Sequence, residues 1–330
     1  MTILVVAGAR PQFVKAAALM PALPDAELVH TGQHRDPRMV DAHFEGLGLA
    51  PPSVTLDVDI SDRTARLTHM SLRLVDVIRK RGSKRVLALG DTDSAVATAM
   101  AGEISGTPVG HVEAGARSGE PDLPEETNRI VIDRLSDLCF CSTPQHASNL
   151  GDRDGVHVVG DVMADVLMRH EDEIRARRRD GDEYAVLTLH RAATADDPET
   201  VAAVLDAVAG AAGVPVLFPR HPRTPLPIEP DGLVAMEPLS YLDFLGLVAG
   251  AQVVVTDSGG LQKEAYLLGV PCITLREKTE WGETVDAGWN VLAGVEPARI
   301  RAALAAPPRA GARPSLYGDG RAAERIAELV

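Results

Sequence analysis

The sequence predicts an α/β protein of two doubly wound domains, each on a parallel sheet. Three observations carry that expectation. Apolar, β-branched runs alternate with helical stretches almost from end to end. The alternation restarts near the middle of a 330-residue chain, which is long enough for two separate cores. Charged and glycine-containing clusters sit where the strand-like runs end, the place where open parallel sheets bind ligands.

Taken in order, Thr2 to Ala7 is a continuous strand-like run, and Pro11 to Met20 a helix with proline at its start. Glu27 to Thr31 reads as a strand. Thr64 to Lys80 places Leu67, Met70, Leu74, Val77 and Ile78 at helical spacing. Strand Arg85 to Leu89, helix Ser94 to Ile104, strand Pro108 to Val112, helix Glu125 to Leu135 and strand Leu138 to Ser142 follow. Val156 to Val159 is a short strand, and Asp161 to Arg179 reads as one connecting helix. The pattern then restarts with strand Tyr184 to Leu189, helix Pro198 to Gly210 and strand Val214 to Pro219. Helices Leu239 to Val248 and Leu261 to Leu268 flank strand Gln252 to Thr256, and Pro271 to Leu275 is a last strand. Pro222 to Pro230 and Pro307 to Pro314 read as loops, and Arg321 to Leu329 as a final helix. The domains are expected at residues 1–164 and 165–316. The helix within 317–330 is expected to pack back on the first domain. A ligand would lie between two such domains.

Composition narrows the function. A formal net charge of −14 argues against nucleic-acid and anionic-membrane partners, which ask for basic surface. The one basic block, Arg175 to Arg179, runs straight into Asp180, Asp182 and Glu183, as at a solvated helix end. Cys139, Cys141 and Cys272 cannot all pair, and Cys139 and Cys141 alternate along an apparent buried strand, which suits core thiols in a reducing cytoplasm. No metal-ligand spacing is present, and no cofactor is implied. No apolar run is long enough to span a bilayer, and no basic leader precedes the first strand. With 3% aromatic residues, Ala, Val and Leu must build the cores.

Three acidic clusters fall within forty residues: Gly90-Asp91-Thr92, His111-Val112-Glu113-Ala114-Gly115 and Pro124-Glu125-Glu126-Thr127-Asn128-Arg129. Each ends a strand or begins a helix. Asp91, Glu113 and Glu125 could therefore share one crevice, where mutual repulsion makes carboxylates usable as acids and bases near neutrality. The competing role for Asp91 and Glu125 is helix capping. Gly8-Ala9-Arg10-Pro11 ends the first strand and brings Arg10 and Lys15 to the same kind of crevice, two cations suited to a diphosphate. The competing role for Arg10 is a surface ion pair. Later, Asp257-Ser258-Gly259-Gly260 joins a strand to a helix, with Ser258 as N-cap and open amides for an anion, and Glu264 one turn in for a ribose hydroxyl. His190-Arg191 and Arg220-His221 end neighbouring strands. No G-x-G-x-x-G follows a strand, and no Walker A motif appears.

Read together, these segments resemble the non-hydrolysing UDP-N-acetylglucosamine 2-epimerases. The matching stretches are Gly8-Ala9-Arg10-Pro11-Gln12 with Lys15, Thr31-Gly32-Gln33-His34, Leu89 to Thr92, His111 to Gly115 with Arg117, Pro124 to Arg129, His190-Arg191, Asp257 to Gln262 with Glu264-Ala265, and Thr279-Glu280. The resemblance implies a GT-B-type fold of two Rossmann-like domains with the site between them, a homodimer, and a small-molecule UDP-sugar as substrate. It implies interconversion of UDP-N-acetylglucosamine and UDP-N-acetylmannosamine through elimination of UDP to 2-acetamidoglucal and its re-addition. By position it makes Asp91, Glu113 and Glu125 the acid–base set, with Lys15 and Arg129 organising their charges. His190 acts on the leaving diphosphate with Arg10. Ser258, Gly259 and Gly260 hold the phosphates, Glu264 the ribose, and Phe244 lies near the uracil. A second, activating nucleotide-sugar site found in some bacterial members would use Gln33, Arg63, Arg191 and His221, although Asp36 stands where those members have glutamine.

Three departures stand out. Ala192-Ala193-Thr194 follows His190-Arg191 where Arg-Glu-Asn is usual, Trp281-Gly282 replaces Arg-Pro, and Ala9 replaces threonine. The first two thin the cations near the phosphates. The competing functions are a GT-B glycosyltransferase, a hydrolysing epimerase that releases N-acetylmannosamine and UDP, and a catalytically silent UDP-sugar sensor.

Overall fold

The computed structural model describes residues 2–33, 46–179, 181, 183–221, 224–308 and 313–330. His34, Asp36, Asp180, Asp182, Pro222 and the middle of the 307–314 stretch lie outside the described residues. The chain divides into two compact units, Met1–Arg169 with Ser315–Val330, and His170–Pro314.

Among the described residues the first unit has seven strands: β1 (Ile3–Ala7), β2 (Ala26–His30), β3 (Val54–Thr55), β4 (Arg85–Leu89), β5 (Val109–Val112), β6 (Leu138–Cys141) and β7 (Val156–Val158). Their spatial order is β3-β2-β1-β4-β5-β6-β7, and every pair is parallel. In the central register Val5 lies opposite Leu28 on one side and Leu87 on the other. All five β1 residues are buried, as a central strand covered on both faces requires. The strand order reverses direction between β1 and β4, so the crevice of this unit opens past Ala7 and Leu89.

Helices α1 (Arg10–Ala22), α2 (Arg63–Arg81), α3 (Asp93–Ser105), α4 (Pro124–Leu135) and α5 (Pro144–Ser148) connect these strands. Local chemistry sets their ends. The Asp62 carboxylate accepts from Ala65 N at 2.8 Å to start α2, and Gly82 in left-handed geometry stops it after Arg79, Lys80 and Arg81, cations that suit a helix C-terminus. Met70, Leu74, Val75 and Ile78 form its buried face.

The second unit carries β8 (Ala185–Thr188), β9 (Val216–Pro219), β10 (Leu233–Met236), β11 (Val253–Thr256), β12 (Cys272–Thr274) and β13 (Asn290–Leu292), in the all-parallel order β10-β9-β8-β11-β12-β13. Its reversal falls between β8 and β11. Helices of this unit are α7 (Glu171–Ala176), α8 (Ala192–Ala195), α9 (Pro198–Ala211), α10 (Tyr241–Gly250), α11 (Gly259–Leu268), α12 (Gly282–Asp286) and α13 (Pro297–Ala305). The two sheets give the Rossmann-like pair expected of a GT-B-type fold.

One expected element is corrected. Residues 161–179 form two helices, α6 (Val162–Arg169) and α7, broken at His170, whose φ of −103° and ψ of 17° leave the helical region. The physical reason is packing: α6 lies on α1 in the first unit, while α7 packs on α10 in the second. The short edge strands β3, β10 and β13 and the short helices α5, α8, α12 and α13 have no counterpart in the sequence reading. Edge strands are half-solvated, and the residues of β10 show no buried alternation. The last helix, α14 (Ala322–Leu329), packs on α1 and α6, and the Asp165 carboxylate accepts from Ala322 N at 3.1 Å and Ala323 N at 2.7 Å.

Candidate active site

The first unit gathers its charged side chains past the ends of β1, β4 and β5. Gly8 follows β1 and must be glycine. A Cβ there would stand 2.0 Å from Thr31 Oγ1 and 2.2 Å from Ser94 Oγ, hydroxyls themselves joined at 2.7 Å. The next helix, α1, starts with Arg10 and carries Lys15 one turn on, its ammonium almost wholly buried. Lys15 Nζ lies 3.3 Å from Glu113 Oε1. Both groups crowd the Cα of Gly90, where a Cβ would be 3.3 Å from Lys15 Nζ and 3.6 Å from Glu113 Oε1. Gly90 also has a φ of +63°. Glu113 itself has a φ of +73°, a conformation that non-glycine residues adopt at a cost.

Asp91 does not cap a helix. Thr92 does that for α3, accepting from Ala95 N. The Asp91 carboxylate instead receives Arg129 Nη2 at 2.6 Å, while Arg129 Nη1 reaches Glu126 Oε2 at 2.9 Å. Glu126 also accepts from Ser118 N, Ser118 Oγ and Gly119 N. Burial would raise its pKa, but the amides of Ser118 and Gly119, the Ser118 hydroxyl and Arg129 outweigh it and hold the carboxyl below its ordinary range. Glu125 is half-buried in the first turn of α4. It makes no hydrogen bond or ion pair among the described residues, and its charge reaches Arg63.

Beneath these groups lies His111, fully buried. Its Nε2 donates to Gly90 O at 2.9 Å, and its Nδ1 meets Asp133 Oδ1 at 2.7 Å. Arg117 Nη2 pairs with Asp133 Oδ2 at 2.7 Å. Burial pushes the Asp133 carboxyl up, and the charges and bonds of His111 and Arg117 pull it further down, below the usual carboxylate range.

Of the four residues expected at an activating site, two come to the N-terminus of α3. Gln33 Oε1 accepts from Ser94 Oγ at 2.6 Å and Ser94 N at 3.1 Å, and Arg63 grips the neighbouring Asp93 at 2.8 Å. Arg191 and His221 belong to the second unit.

In that unit the reversal between β8 and β11 brings His190 against Asp257. His190 Nδ1 is 3.1 Å from Asp257 Oδ1, and the backbone amides of His190 and Arg191 donate to the same carboxylate at 3.0–3.2 Å. Asp257 is completely buried, while the imidazole of His190 remains 42% exposed. Burial alone would raise the Asp257 pKa, but His190 and the two amides hold it below the ordinary value. The ring of His221 is 6.1 Å from that of His190, centre to centre.

Ser258 caps α11 as its sequence suggests, accepting from Leu261 N. A Cβ on Gly259 would lie 2.3 Å from Glu280 Oε1, so a carboxylate stands beside this helix start, neutralised by Arg276 Nη1 at 2.8 Å from its other oxygen. Glu264 accepts from Tyr241 Oη at 2.7 Å. Phe244 is half-buried on α10, against the core beneath β8, β9 and β11. Where Trp281 replaces the usual arginine, Lys263 Nζ stands 3.9 Å over the indole ring, so a cation from α11 reaches that spot.

Sequence reasoning passed over Glu126, Asp133, His111 and Asp257 as functional groups. Helical spacing held a signal for two of them: Glu126, Arg129 and Asp133 lie three and four residues apart on one face of α4, an arrangement that supports an ionic network. Asp257 is named in its motif, but its role as the partner of His190 depends on strand order. Among the described residues no group of three or more His, Cys, Asp or Glu is arranged to hold a metal ion, and no helix is long and apolar enough to cross a membrane.

Comparison with known proteins gives a consistent result. The sequence pattern of the family described as UDP-N-acetylglucosamine 2-epimerase matches residues 22–330. The chain is 38% identical to the UDP-2,3-diacetamido-2,3-dideoxy-D-glucuronate 2-epimerase of Pseudomonas aeruginosa, covering 100% of this chain and 99% of that protein. The structure is similar to that of the Methanocaldococcus jannaschii UDP-GlcNAc 2-epimerase in complex with UDP-GlcNAc and UDP, with a TM-score of 0.92, 29% identity, and coverage of 100% and 99%. The Neisseria meningitidis UDP-GlcNAc 2-epimerase bound to UDP-GlcNAc gives a TM-score of 0.89 at 26% identity, over 100% and 99% of the two chains. The chain belongs to the UDP-N-acetylglucosamine 2-epimerase family.

Proposed function

We propose that the protein inverts C2 of a UDP-2-acetamido sugar without net hydrolysis, with UDP-N-acetylglucosamine and UDP-N-acetylmannosamine as the pair interconverted. The observation that carries the reading is the charge cluster of the first unit: Lys15 beside Glu113 at 3.3 Å and Arg129 on Asp91 at 2.6 Å, both around the Gly90 turn. In the forward reaction a carboxylate removes the C2 proton, the C–H electrons form the C1=C2 bond, and the C1–O bond breaks with its electron pair leaving on UDP. A proton returned to C2 on the opposite face, with UDP oxygen adding back at C1, completes the inversion. C2–H is a weak acid, so the base must be positioned and the departing charge stabilised in the same step.

Opposite faces need different proton carriers, which gives more than one of Asp91, Glu113 and Glu125 a task. Lys15 and Arg129 pair with Glu113 and Asp91 and aim their carboxylates. Asp257 holds the His190 ring through Nδ1, and the exposed imidazole is assigned to the leaving diphosphate, as is Arg10 of the first unit. Gly259 and Gly260 offer amides and Ser258 its hydroxyl to phosphate, Glu264 and its Tyr241 partner face the ribose, and Phe244 borders the uracil. Gln33 and Arg63 of the first unit, and Arg191 and His221 of the second, are assigned to activation by a nucleotide sugar, and the protein works as a cytoplasmic homodimer.

A second substrate is favoured by the 38% identity to an enzyme named for UDP-2,3-diacetamido-2,3-dideoxy-D-glucuronate. The C2 chemistry is the same, and only the C3 and C5 substituents differ. Proton NMR in deuterated water with each substrate separates the readings. The expected result is deuterium at C2 and a manno-configured UDP-sugar from UDP-N-acetylglucosamine. Turnover of the uronate alone would transfer the activity to that substrate. Free N-acetylmannosamine with stoichiometric UDP would establish hydrolysis, and UDP release that depends on an added acceptor would establish glycosyl transfer. Glu113→Gln and Asp91→Asn should bind UDP within about tenfold of wild type and turn over roughly a hundredfold or more slowly. Normal UDP binding without turnover in the wild-type protein would identify a sensor.

A further inference from the structure

Three consecutive carbonyls run through the turn at the end of β4, and each is taken by a buried side-chain donor from a different element. Gln12 Nε2, on α1, donates to Leu89 O at 2.8 Å. His111 Nε2, on β5, donates to Gly90 O at 2.9 Å. Asn128 Nδ2, on α4, donates to Asp91 O at 2.8 Å. The three side chains belong to residues 1%, 0% and 6% exposed.

Each donor is also held from behind. Gln12 Oε1 accepts from Gly8 N and Ala9 N at 2.8 and 3.0 Å, tying the β1 turn to the β4 turn. His111 Nδ1 is bound to Asp133, which Arg117 and the Gly115 amide hold in turn. Asn128 Oδ1 accepts from Arg63 Nη2 at 3.0 Å. Satisfying a carbonyl needs only one donor, and water at a turn can supply it. Three immobile donors on three successive peptides do more, because each fixes the plane of its peptide. Arg129 then fixes the other end of the Asp91 side chain.

We propose that Gln12, His111 and Asn128 are positioning residues that lock the backbone under Asp91, with His111, braced by Asp133 and Arg117, as the central pin. The proposal rests on the reading of Asp91 as a proton-transfer group of the epimerase. A carboxylate transferring a proton at carbon works only at near-attack distance, and a displacement of about 1 Å costs roughly a hundredfold in rate. None of the three donors needs to touch substrate to control turnover.

The test compares wild type, Asp91→Asn, His111→Gln, His111→Asn and the double variant Asp91→Asn/His111→Asn, reading kcat, KM, UDP binding by calorimetry and C2 deuterium exchange. Glutamine places its amide near the Nε2 position and keeps the donor to Gly90 O. Asparagine reaches only the Nδ1 position and loses it. Expected are kcat within about tenfold of wild type for His111→Gln and at least about fiftyfold lower for His111→Asn, with UDP binding within about threefold in both. If His111 acts through Asp91, the double variant is no slower than Asp91→Asn within about threefold. Asp91→Asn with wild-type turnover overturns the functional reading of Asp91. A slow Asp91→Asn beside a fast His111→Asn, or losses that multiply in the double variant, overturns the positioning role alone. Asn128→Asp, which keeps shape but presents no amide donor to Asp91 O, covers the case in which His111→Asn fails to fold. Its kcat should fall at least about tenfold at unchanged KM, and kcat within about threefold of wild type overturns the proposal.

Discussion

Arg129→Met tests the ionic network of the first unit directly. The guanidinium is buried and serves two carboxylates, Asp91 at 2.6 Å and Glu126 at 2.9 Å, whose side chains are 26% and 8% exposed. At the Asp91 end water can replace the lost partner, so that end contributes about 0–1 kcal/mol. At the Glu126 end a charge stays buried. Removing one partner of a buried pair costs about 3–5 kcal/mol, but Glu126 retains Ser118 N, Ser118 Oγ and Gly119 N, which lowers the figure to about 2–3 kcal/mol. The sum is about 2–4 kcal/mol, equal to amide exchange in α4 faster by about 30-fold to 1,000-fold. Hydrogen exchange read by mass spectrometry on peptides from residues 124–135 measures this without assuming that two units unfold as one.

Arg129→Met combined with Glu126→Gln removes the orphaned charge and should recover at least about half of the loss. The pH dependence has a definite sign. A carboxyl whose folded pKa lies below its unfolded value contributes stability above the unfolded pKa, about 4.3 for Glu, and loses it as pH falls toward the folded pKa. Without Arg129 that depression shrinks, so α4 of the variant should lose less protection than wild type between about pH 5 and pH 3. Exchange in α4 unchanged within about threefold at pH 7, or an acid slope as steep as that of wild type, refutes the assignment of Arg129 as the counter-charge of Glu126.

Other outcomes follow from the packing. Gly8→Ala drives a Cβ into Thr31 Oγ1 and Ser94 Oγ at 2.0 and 2.2 Å, and should destabilise the first unit by about 1–3 kcal/mol in urea denaturation; a change below about 0.5 kcal/mol contradicts the close approach. Burial pushes the thiols of Cys139, Cys141 and Cys272 up to about 11, 12 and 12, so a disulfide reagent at pH 8 should label all three in guanidinium and none promptly in the native protein. Prompt native labelling would show that these sites are open. Asp165→Ala removes the acceptor for Ala322 N and Ala323 N and should cost about 1–2 kcal/mol, seen as earlier proteolysis of the C-terminal helix. Burial raises the Asp165 carboxyl above its ordinary value despite those two amides, so its charge opposes folding at neutral pH, and Asp165→Asn, which removes the charge and keeps one of the two acceptors, should lose less than Asp165→Ala; equal sensitivity of the two variants would refute this.

The elements that sequence revealed best are those with the strongest burial. The strands β1, β4, β8 and β11 are central to their sheets, and continuous apolar runs announce them. The break at His170 was illegible because both halves of 161–179 have helical composition, and only their attachment to different units separates them. At the site, Asp91 and Glu113 were legible because glycine and a carboxylate ending an apolar run is a local signal. The partners that give them their properties were not. Arg129 meets Asp91 across 38 positions, His111 meets Gly90 across 21, and Asp257 meets the His190 amide across 67. Such pairs depend on strand order, which places β1 beside β4 and β8 beside β11 although two other strands lie between them in sequence.

Glu113 shows most directly what the fold gives up to form this cluster. Its φ of +73° lies where glycine is comfortable and a side chain is not, at a cost of order 1–3 kcal/mol. The conformation is imposed from outside, since Glu113 N and Ala114 N both donate to Phe140 O at 3.0 Å and so curl the end of β5 around one carbonyl of β6. Glycine at this position would relieve the strain and keep both backbone hydrogen bonds. A glutamate there presents its carboxylate to Lys15 over Gly90, and a residue with ordinary backbone angles at the same point would aim its side chain elsewhere. The strain therefore has a directional consequence: it sets a carboxylate beside a buried ammonium past the end of a parallel strand. On the proposed function, that placement serves proton transfer at a sugar carbon at the expense of stability.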